Sequence, residues 1–352
     1  MERSTTSARV ETYAGIDYHK KFSMVTLGDK NGKVLKTERV PNDRQAVRQF
    51  FKQFPGLECT VECCRGYEWF IELLQELGLT VHLCHAYAVK LIAQSRCKTD
   101  KIDSKILMEL LAKGFLPTCY QATPEEVALR ERLRWRMQLV RNVTRIKVRI
   151  HSLVDKENLG LPGGAQLFTS RGRKYLAQVK LASLTRQEIL DQHLRLLEYL
   201  EQQLKEIDKY LEKLSHQSDK AKLLMTIPGI GALSALVILA ELGDTSRFKR
   251  SAQVVSYAGL APGVYSSADV RRSGRITKQG SIWLRWILVQ NAWQAIRCSA
   301  PLRYHFVSVS RRCGRHSAII AVARKLLEIA YRVLRDGKGF DPDLVGPKKQ
   351  SA

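Results

Sequence analysis

Four acidic residues in the first third of the chain are placed so that their carboxylates could act together. They are Asp17 in the segment GIDYHK, Glu62 in TVECCRG, and Asp100 and Asp103 in KTDKIDSK. Carboxylates brought close together repel and raise one another's pKa unless a cation joins them. Oxygen ligands of this kind suit Mg²⁺, which often shares its coordination shell with waters and a phosphate substrate. The pattern therefore predicts a site for Mg²⁺, with Mn²⁺ as a substitute, that acts on phosphodiesters.

Apolar patterns around these acids predict the elements that would position them. Residues 12–40 read as three strands, the first ending at Asp17, and a later strand ends at Glu62. The segment TDKIDSKILMELLAKG has its apolar residues on one helix face. The predicted elements follow one another as three strands, a helix, a strand, a helix, a strand and a helix. This is the order of the RNase H-like fold, in which such acids converge. We therefore expect an N-terminal α/β domain with a mixed sheet.

The chain carries a large excess of positive charge. Of 352 residues, 58 are Lys or Arg and 34 are Asp or Glu, a formal net charge of +24. This excess predicts a polyanionic partner, DNA or RNA, whose binding weakens as salt rises. No apolar run reaches the roughly 20 residues of a membrane-spanning helix, and the polar N-terminus lacks a signal-peptide core. We expect a globular cytoplasmic protein without a membrane partner.

The cysteines indicate a reducing compartment. There are eight, at positions 59, 63, 64, 84, 97, 119, 298 and 313, and none forms a CxxC pair. Reduced, mostly buried thiols are the favoured interpretation. A zinc site made by Cys84, His82 and His85 is the alternative, although it lacks a second pair of ligands.

A basic helix is predicted over residues 124–155. Between positions 128 and 150 it has eight Lys or Arg and a single acid, Glu131. Charge of one sign favours contact with a phosphate backbone over a merely solvated face. The arginines expected to bind nucleic acid are Arg130, Arg134, Arg141, Arg145 and Arg149.

Residues 185–218 have the most regular spacing of the chain. Steps of three and four residues connect Leu197, Leu200, Leu204, Ile207, Leu211 and Leu214. This is a coiled-coil seam of about three heptads. Its partner could be another subunit or a helix of the same chain such as 124–155, and the sequence leaves both open.

The C-terminal part combines a Gly-rich turn with a basic loop. Residues 226–243 contain a Pro-Gly-Ile-Gly turn between apolar helices, which fits either a helix-hairpin-helix that binds phosphate or a buried helical hairpin. From 245 to 325 there are 15 Lys or Arg and one acid, Asp269. Serines in the loop of this region could act as a nucleophile with a suitable base or metal, or could merely cap helices and bind phosphate.

Taken in order, these motifs resemble the DEDD transposases of bacterial insertion sequences, to which pilin-gene invertases are similar. The motifs are GIDYHK, the VE after the fourth strand, KTDKIDSKIL, IPGIG, and GLAP followed by YSS, GRITKQGS and LR. The resemblance implies a RuvC-like domain, a coiled-coil dimerisation segment and a C-terminal transposase domain. It also implies metal ligation by Asp17, Glu62, Asp100 and Asp103, and recombination guided by a structured non-coding RNA that pairs with target and donor DNA.

The resemblance further implies a serine nucleophile in the C-terminal loop. The family's serine commonly precedes a glycine, and this chain has Ser266-Ser267-Ala268 at that place. Ser267 is assigned because Ala268 stands where the glycine is usual, and Ser266 stays an alternative. Ser281 is expected to cap the next helix. The DNA backbone would be held by Arg271, Arg272, Arg275, Lys278 and Arg285.

The expected organisation has four parts. They are a RuvC-like domain with its basic helix (1–155), a loop and coiled coil (156–222), a transposase domain with a helix-hairpin-helix and the serine loop (223–336), and a disordered tail (337–352). Expected partners are double-stranded DNA, guide RNA and further copies of the chain, as a dimer or a tetramer, in a bacterial nucleoid. Whether the serine meets the acids in cis or in trans stays open.

Two other functions fit parts of the sequence. A metal-dependent nuclease of the Holliday-junction-resolvase type would use the same acids to activate water. A non-catalytic nucleic-acid-binding protein would explain the charge but not the placed acids.

Overall fold

Strands build the N-terminal part of the chain, and long helices build most of the remainder. The computed structural model describes residues 12–62, 65–92, 99–159, 166–267 and 270–345, with backbone alone for 264–267 and 270–273. The chain divides into two units, Met1–Ala122 and Thr123–Ala352. The basic helix belongs to the second unit, whereas the sequence-based division groups it with the first domain.

A mixed five-stranded sheet forms the centre of the first unit. Its strands are β1 (Thr12–Tyr18), β2 (Phe22–Asp29), β3 (Val34–Pro41), β4 (Glu58–Glu62) and β5 (Thr80–Cys84). Their order across the sheet is β3-β2-β1-β4-β5. β1 runs antiparallel to β2 and parallel to β4, and β4 runs parallel to β5. Order and directions agree with the mixed sheet that the sequence predicts.

Helices cover this sheet and continue from its strands. They are α1 (Arg44–Phe51), α2 (Glu68–Glu76), α3 (Ala86–Ile92) and α4 (Asp100–Ala112). α4 packs on β1 and β2 with Leu107 and Met108 buried. The sequence pattern predicts no helix at α3, because its seven residues are too few and too uniformly apolar to show a helical period.

The second unit is largely helical. Its helices are α5 (Pro124–Lys156), α6 (Ser170–Gln178), α7 (Leu184–Gln217), α8 (Asp219–Met225), α9 (Ala232–Leu242), α10 (Ser251–Tyr257), α11 (Ile282–Cys298) and α12 (Ala300–Asp336). Strands β6 (Pro262–Ser267) and β7 (Val270–Ile276) form an antiparallel hairpin between α10 and α11. This helical part agrees with the expected fold class.

The apolar seam of α7 packs against α5 of the same chain. Leu190, Leu197 and Leu200 share a buried cluster with Val143 and Ile150 of α5. The sequence leaves open whether the seam packs on another subunit or on a helix of the same chain. The structure shows it packed on a helix of the same chain. Contact of α7 with a second subunit stays a prediction.

The Pro-Gly-Ile-Gly turn joins α8 to α9. Ile227 and Ile230 of this turn are buried in the core of the second unit, together with residues of α11 and α12. The turn is thus part of an apolar helical hairpin, and phosphate binding by its backbone stays a prediction.

The end of the described chain packs instead of forming the tail predicted from residue 337. Phe340 N donates to Thr226 Oγ1 at 2.8 Å, and Val345 is buried. These apolar side chains hold the segment on the helical core, and residues 346–352 lie outside the described residues.

Among the described helices, none combines the length and the apolar character needed to cross a membrane.

Candidate active site

The predicted acids lie together at the carboxyl ends of β1 and β4. Asp17 and Glu62 stand near the ends of these neighbouring parallel strands. Asp100 and Asp103 occupy the first turn of α4, which packs on β1. The structure thus brings the four carboxylates, which are distant in sequence, to one place.

Crowding raises the pKa of Asp17. Its side chain is 13% exposed, and loss of solvent is the largest cause of the rise. The charges of Asp100, Asp103 and Glu62 act in the same direction, while His19 opposes them. The four carboxylates therefore share one electrostatic environment in which a cation would relieve repulsion.

His19 is a further side chain of this site, and the sequence reasoning did not assign it. Its Nε2 lies 3.1 Å from Asp17 Oδ2 and 3.4 Å from Asp100 Oδ2. This nitrogen is buried, and no described group forms an aligned hydrogen bond to it. Asn42 donates to the His19 carbonyl oxygen, and the His19 ring packs on Phe22. The signal was its spacing of two residues from Asp17 at a strand end, where alternate residues share a face.

The donor atoms suit a divalent cation. Among the described residues, Asp17, His19 and Asp100 place their ligating atoms within 4.8 Å of one another. Carboxylate oxygens with an imidazole nitrogen form a donor set that divalent cations accept. The closeness of these ligating atoms and the raised pKa of Asp17 both fit a possible metal site here.

A close approach of α4 to β1 positions the site. Gly15 of β1 lies so near α4 that an added Cβ would come within 2.0 Å of Ser104 O and 2.4 Å of Met108 N. A buried hydrogen bond of 2.8 Å joins Thr26 Oγ1 of β2 to Ser104 Oγ. A side chain at position 15 would therefore displace α4, which carries two of the acids.

We expect Gly15→Ala to destabilise the protein by about 1–3 kcal/mol, because backbone atoms of α4 must move to admit the methyl group. The variant should also lose the thermal stabilisation that we expect Mn²⁺ to give the wild-type protein. Thermal unfolding with and without the ion measures both effects. Gly339→Ala is the matched control, since its Cβ would meet Thr226 at an ordinary 3.5 Å. Unchanged Mn²⁺ stabilisation in Gly15→Ala would contradict this account of the site.

The predicted serine loop is the β6–β7 hairpin. Backbone pairing sets Ser266 opposite Arg271 and Ser267 opposite Val270. Ala268 and Asp269, and the side chains of Ser266, Ser267, Arg271 and Arg272, lie outside the described residues. The sequence suggests a loop because serine, glycine and arginine interrupt the apolar alternation typical of strands.

Arg285 holds the segment that follows the hairpin. Its Nη1 donates to the carbonyl oxygens of Ala258 (3.0 Å), Gln279 (3.3 Å) and Gly280 (3.1 Å). Burial lowers the pKa of this guanidinium. The Arg285 side chain therefore stabilises this segment of the chain, and its predicted contact with DNA would be additional.

The remaining predictions around the hairpin have different outcomes. Ser281 caps α11 by accepting a hydrogen bond from Leu284 N at 3.1 Å, which confirms the expected cap. Arg275 and Lys278 are exposed, so they can reach a phosphate backbone.

Three of the arginines predicted on α5 contact other parts of the second unit. Arg130 Nε donates to Ala240 O (2.6 Å), Arg134 pairs with the buried Glu241 (3.3 Å), and the Arg141 guanidinium lies 5.2 Å from the Trp283 ring centroid. Arg145 and Arg149 are exposed, and neither has an ion-pair partner among the described residues. These two are the α5 arginines most available to nucleic acid.

The zinc alternative finds no support among the described residues. Among the described residues, Cys84, His82 and His85 do not bring their ligating atoms within reach of one another, and burial raises the pKa of the Cys84 thiol to about 12. His82 Nε2 instead lies 3.5 Å from Glu58 Oε2. Cys59 is also buried and Cys119 is half-buried, but Cys298 and Cys313 are exposed. Cys63, Cys64 and Cys97 lie outside the described residues.

Comparison with known proteins gives matches on both units. A DEDD transposase model of the IS110 type matches residues 14–158, and a model described as the transposase IS116/IS110/IS902 family matches residues 221–307. The transposase for insertion sequence element IS1328 of Yersinia enterocolitica is 27% identical over 94% of this chain and 98% of its own length. A probable family 20 transposase of Pseudomonas aeruginosa is 26% identical (81% and 84%), and the pilin gene-inverting protein of Moraxella bovis is 29% identical (73% and 71%).

Proposed function

We propose that this chain, a DNA transposase and recombinase that belongs to the DEDD transposase family of bacterial insertion sequences, cuts and rejoins DNA through a serine-phosphate intermediate. The observation that carries the proposal is the convergence of Asp17, Glu62, Asp100 and Asp103 with His19. The serine assignment is added from the resemblance of the C-terminal motif. In this proposal the RuvC-like, coiled-coil and transposase domains also have separate functions.

The acid cluster would hold Mg²⁺, with Mn²⁺ as a substitute. The four carboxylates would supply oxygen ligands, and His19 would supply a nitrogen ligand or orient Asp17. When bound, a divalent cation supplies Lewis-acid assistance, which favours ionisation of a hydroxyl and offsets charge on the phosphate. In the absence of a cation, burial first and the neighbouring carboxylates in addition raise the pKa of Asp17.

The serine reaction balances as a transesterification. Ser267 Oγ forms a bond to phosphorus while the bond from phosphorus to the 3′ oxygen breaks. The serine proton passes to a carboxylate of the cluster, and the leaving 3′ oxygen takes up a proton. A 3′-hydroxyl of another strand then attacks the phosphoserine, which rejoins DNA and restores the serine without ATP. Arg275 and Lys278 would bind flanking phosphates, and Ser267 must reach the acids in the active assembly, in cis or in trans.

Trapping a covalent adduct tests this function. Duplex DNA bearing the ends of the element is incubated with the protein and Mg²⁺, and the reaction is stopped in detergent. A DNA-linked peptide that contains residues 262–276 is the expected product. Cleaved DNA without an adduct would favour the water-using nuclease, and recombination by an Asp17→Asn variant would favour the non-catalytic alternative.

We propose that α5 binds the structured guide RNA through Arg145 and Arg149. Arg145→Ala with Arg149→Ala should weaken RNA binding and reduce its salt slope by about 1–2, with stability unchanged. Arg134→Ala should instead lower the free energy of unfolding by about 1–2 kcal/mol, because Glu241 is left buried and unpaired. Filter binding and denaturant unfolding measure the two effects. An unaltered salt slope in the double variant would exclude this surface.

Assembly into a dimer or tetramer is part of the proposal. α7 leaves several large apolar side chains exposed, namely Ile189, Leu196, Tyr199 and Tyr210. These residues would contact a second copy, while the seam stays with α5. Both donor and target double-stranded DNA would be bound by this assembly.

A further inference from the structure

Helix α12 is bent sharply at Gly314. This residue has φ 78° and ψ 164°, which no helical residue adopts, and helical geometry continues on both sides. In a straight helix His305 and Lys325 would lie about 30 Å apart along the axis. Burial lowers the pKa of His305, and Lys325 and Glu328 both act on it. The segment before Gly314 therefore folds back towards the segment after it.

The bend forms an exposed basic corner, which we define as residues 311–317. All seven residues are exposed, and they include Arg311, Arg312, Arg315 and His316. Among the described residues, none of the three arginines has an ion-pair partner. Between positions 297 and 327 the sequence contains no acidic residue.

An aromatic side chain extends the same exposed surface. Tyr304 is 78% exposed, and Val307 and Arg311 follow it at steps of three and four residues along one helix face. The base of the segment is fixed, because Leu302 is buried and Phe306 packs on Trp293 of α11. The basic corner is thus held on a rigid support instead of a long loop.

We propose that the basic corner of α12 binds the phosphate backbone of double-stranded DNA in a sequence-independent way. Arginine side chains without acidic partners match phosphate oxygens, and contacts of this kind fix the position of a protein on DNA without reading bases. An exposed surface of one charge sign does not fit the core of a protein interface, where charged residues are depleted. This surface is separate from the β6–β7 hairpin and from α5. The inference rests on the DNA transposase function but does not depend on the serine step.

The shape and chemistry of the basic corner favour DNA over RNA as its partner. The corner presents three arginines within five consecutive residues, a compact cluster suited to adjacent phosphates of one backbone. Sequence-specific RNA recognition commonly relies on aromatic side chains that stack on unpaired bases. Among the seven corner residues the sole ring is His316, and Tyr304 lies two helical turns away.

Salt-dependent binding of the full-length protein to random-sequence duplex DNA, without divalent metal, tests the proposal. Arg311→Ala, Arg312→Ala and Arg315→Ala together should weaken binding roughly 10–100-fold at physiological salt and reduce the salt slope by about 2–3. The matched control removes three exposed cations that have acidic partners, Lys36, Arg48 and Lys222. The salt slope of this control variant should fall by less than one unit when phosphate contacts are counted in the same way.

Each possible outcome of this experiment either supports or overturns the proposal. Equal loss of slope in the control would overturn the proposal, because it would reflect net charge alone. Loss of binding to a structured RNA with duplex binding intact would assign the corner to RNA and also overturn it. If the triple alanine variant unfolds, single variants that each reduce the slope by about 1 support the proposal, and single variants without effect refute it. None of these readouts depends on covalent adduct formation.

Discussion

Ser267→Ala is expected to abolish the covalent protein–DNA adduct and to lower strand cleavage roughly 10⁴-fold, because it removes the hydroxyl assigned to form the ester to phosphorus. Binding to duplex DNA should stay within twofold of wild type, since a hydroxyl group adds no charge to the backbone contacts. Detergent-resistant adducts on end-labelled DNA measure the first effect, and filter binding measures the second. A full-rate adduct in this variant would remove Ser267 from the mechanism.

Ser266→Ala is the matched control for this experiment. The two serines are neighbours on β6, so both substitutions remove one hydroxyl from the same strand. Wild-type adduct formation by Ser266→Ala supports Ser267 as the nucleophile. A dead Ser266→Ala with an active Ser267→Ala would move the assignment by one residue, and full activity in both would favour attack by water.

Asp17→Asn is expected to lower cleavage about 10³-fold or more, because it removes a carboxylate that is only 13% exposed from the cluster that supports the reaction. The same substitution should stabilise the metal-free protein at neutral pH. The pKa of Asp17 is raised in the folded state, so ionisation penalises folding as pH increases above the unfolded value. The stability difference from wild type should therefore vanish at pH below about 4.

Thermal unfolding across pH, with and without Mg²⁺, measures these effects. The wild-type protein should gain stability from Mg²⁺ at neutral pH, whereas Asp17→Asn should gain little. Asp155→Asn is the control, since this exposed carboxylate lies in the other unit. Wild-type cleavage in a chelator, or by Asp17→Asn, would contradict the metal role of the cluster.

The sequence predicts the parts of the site that depend on local pattern. Asp17 and Glu62 lie at the ends of short, β-rich apolar runs that predict strands, and α4 shows one apolar face. The order of these elements then limits the sheet to few arrangements. For that reason the convergence of the acids could be expected before the structure was known.

Other features depend on contacts between distant segments, which spacing does not encode. The sign of the charge on α5 suggests phosphate, but Arg134 meets Glu241 more than one hundred residues later. His19 belongs to the site through a turn that Asn42 stabilises. The GIDYHK motif places His19 two residues after Asp17, but it does not show that the ring also reaches Asp100.

The pairing of α5 with α7 has a consequence for how the protein is made. Both helices find their apolar partner within one polypeptide, so the interior of this region can be completed during synthesis at any protein concentration. In the proposed assembly, association of copies would add an outer layer without rebuilding that interior. Subunits of such an assembly can separate and exchange while each stays folded.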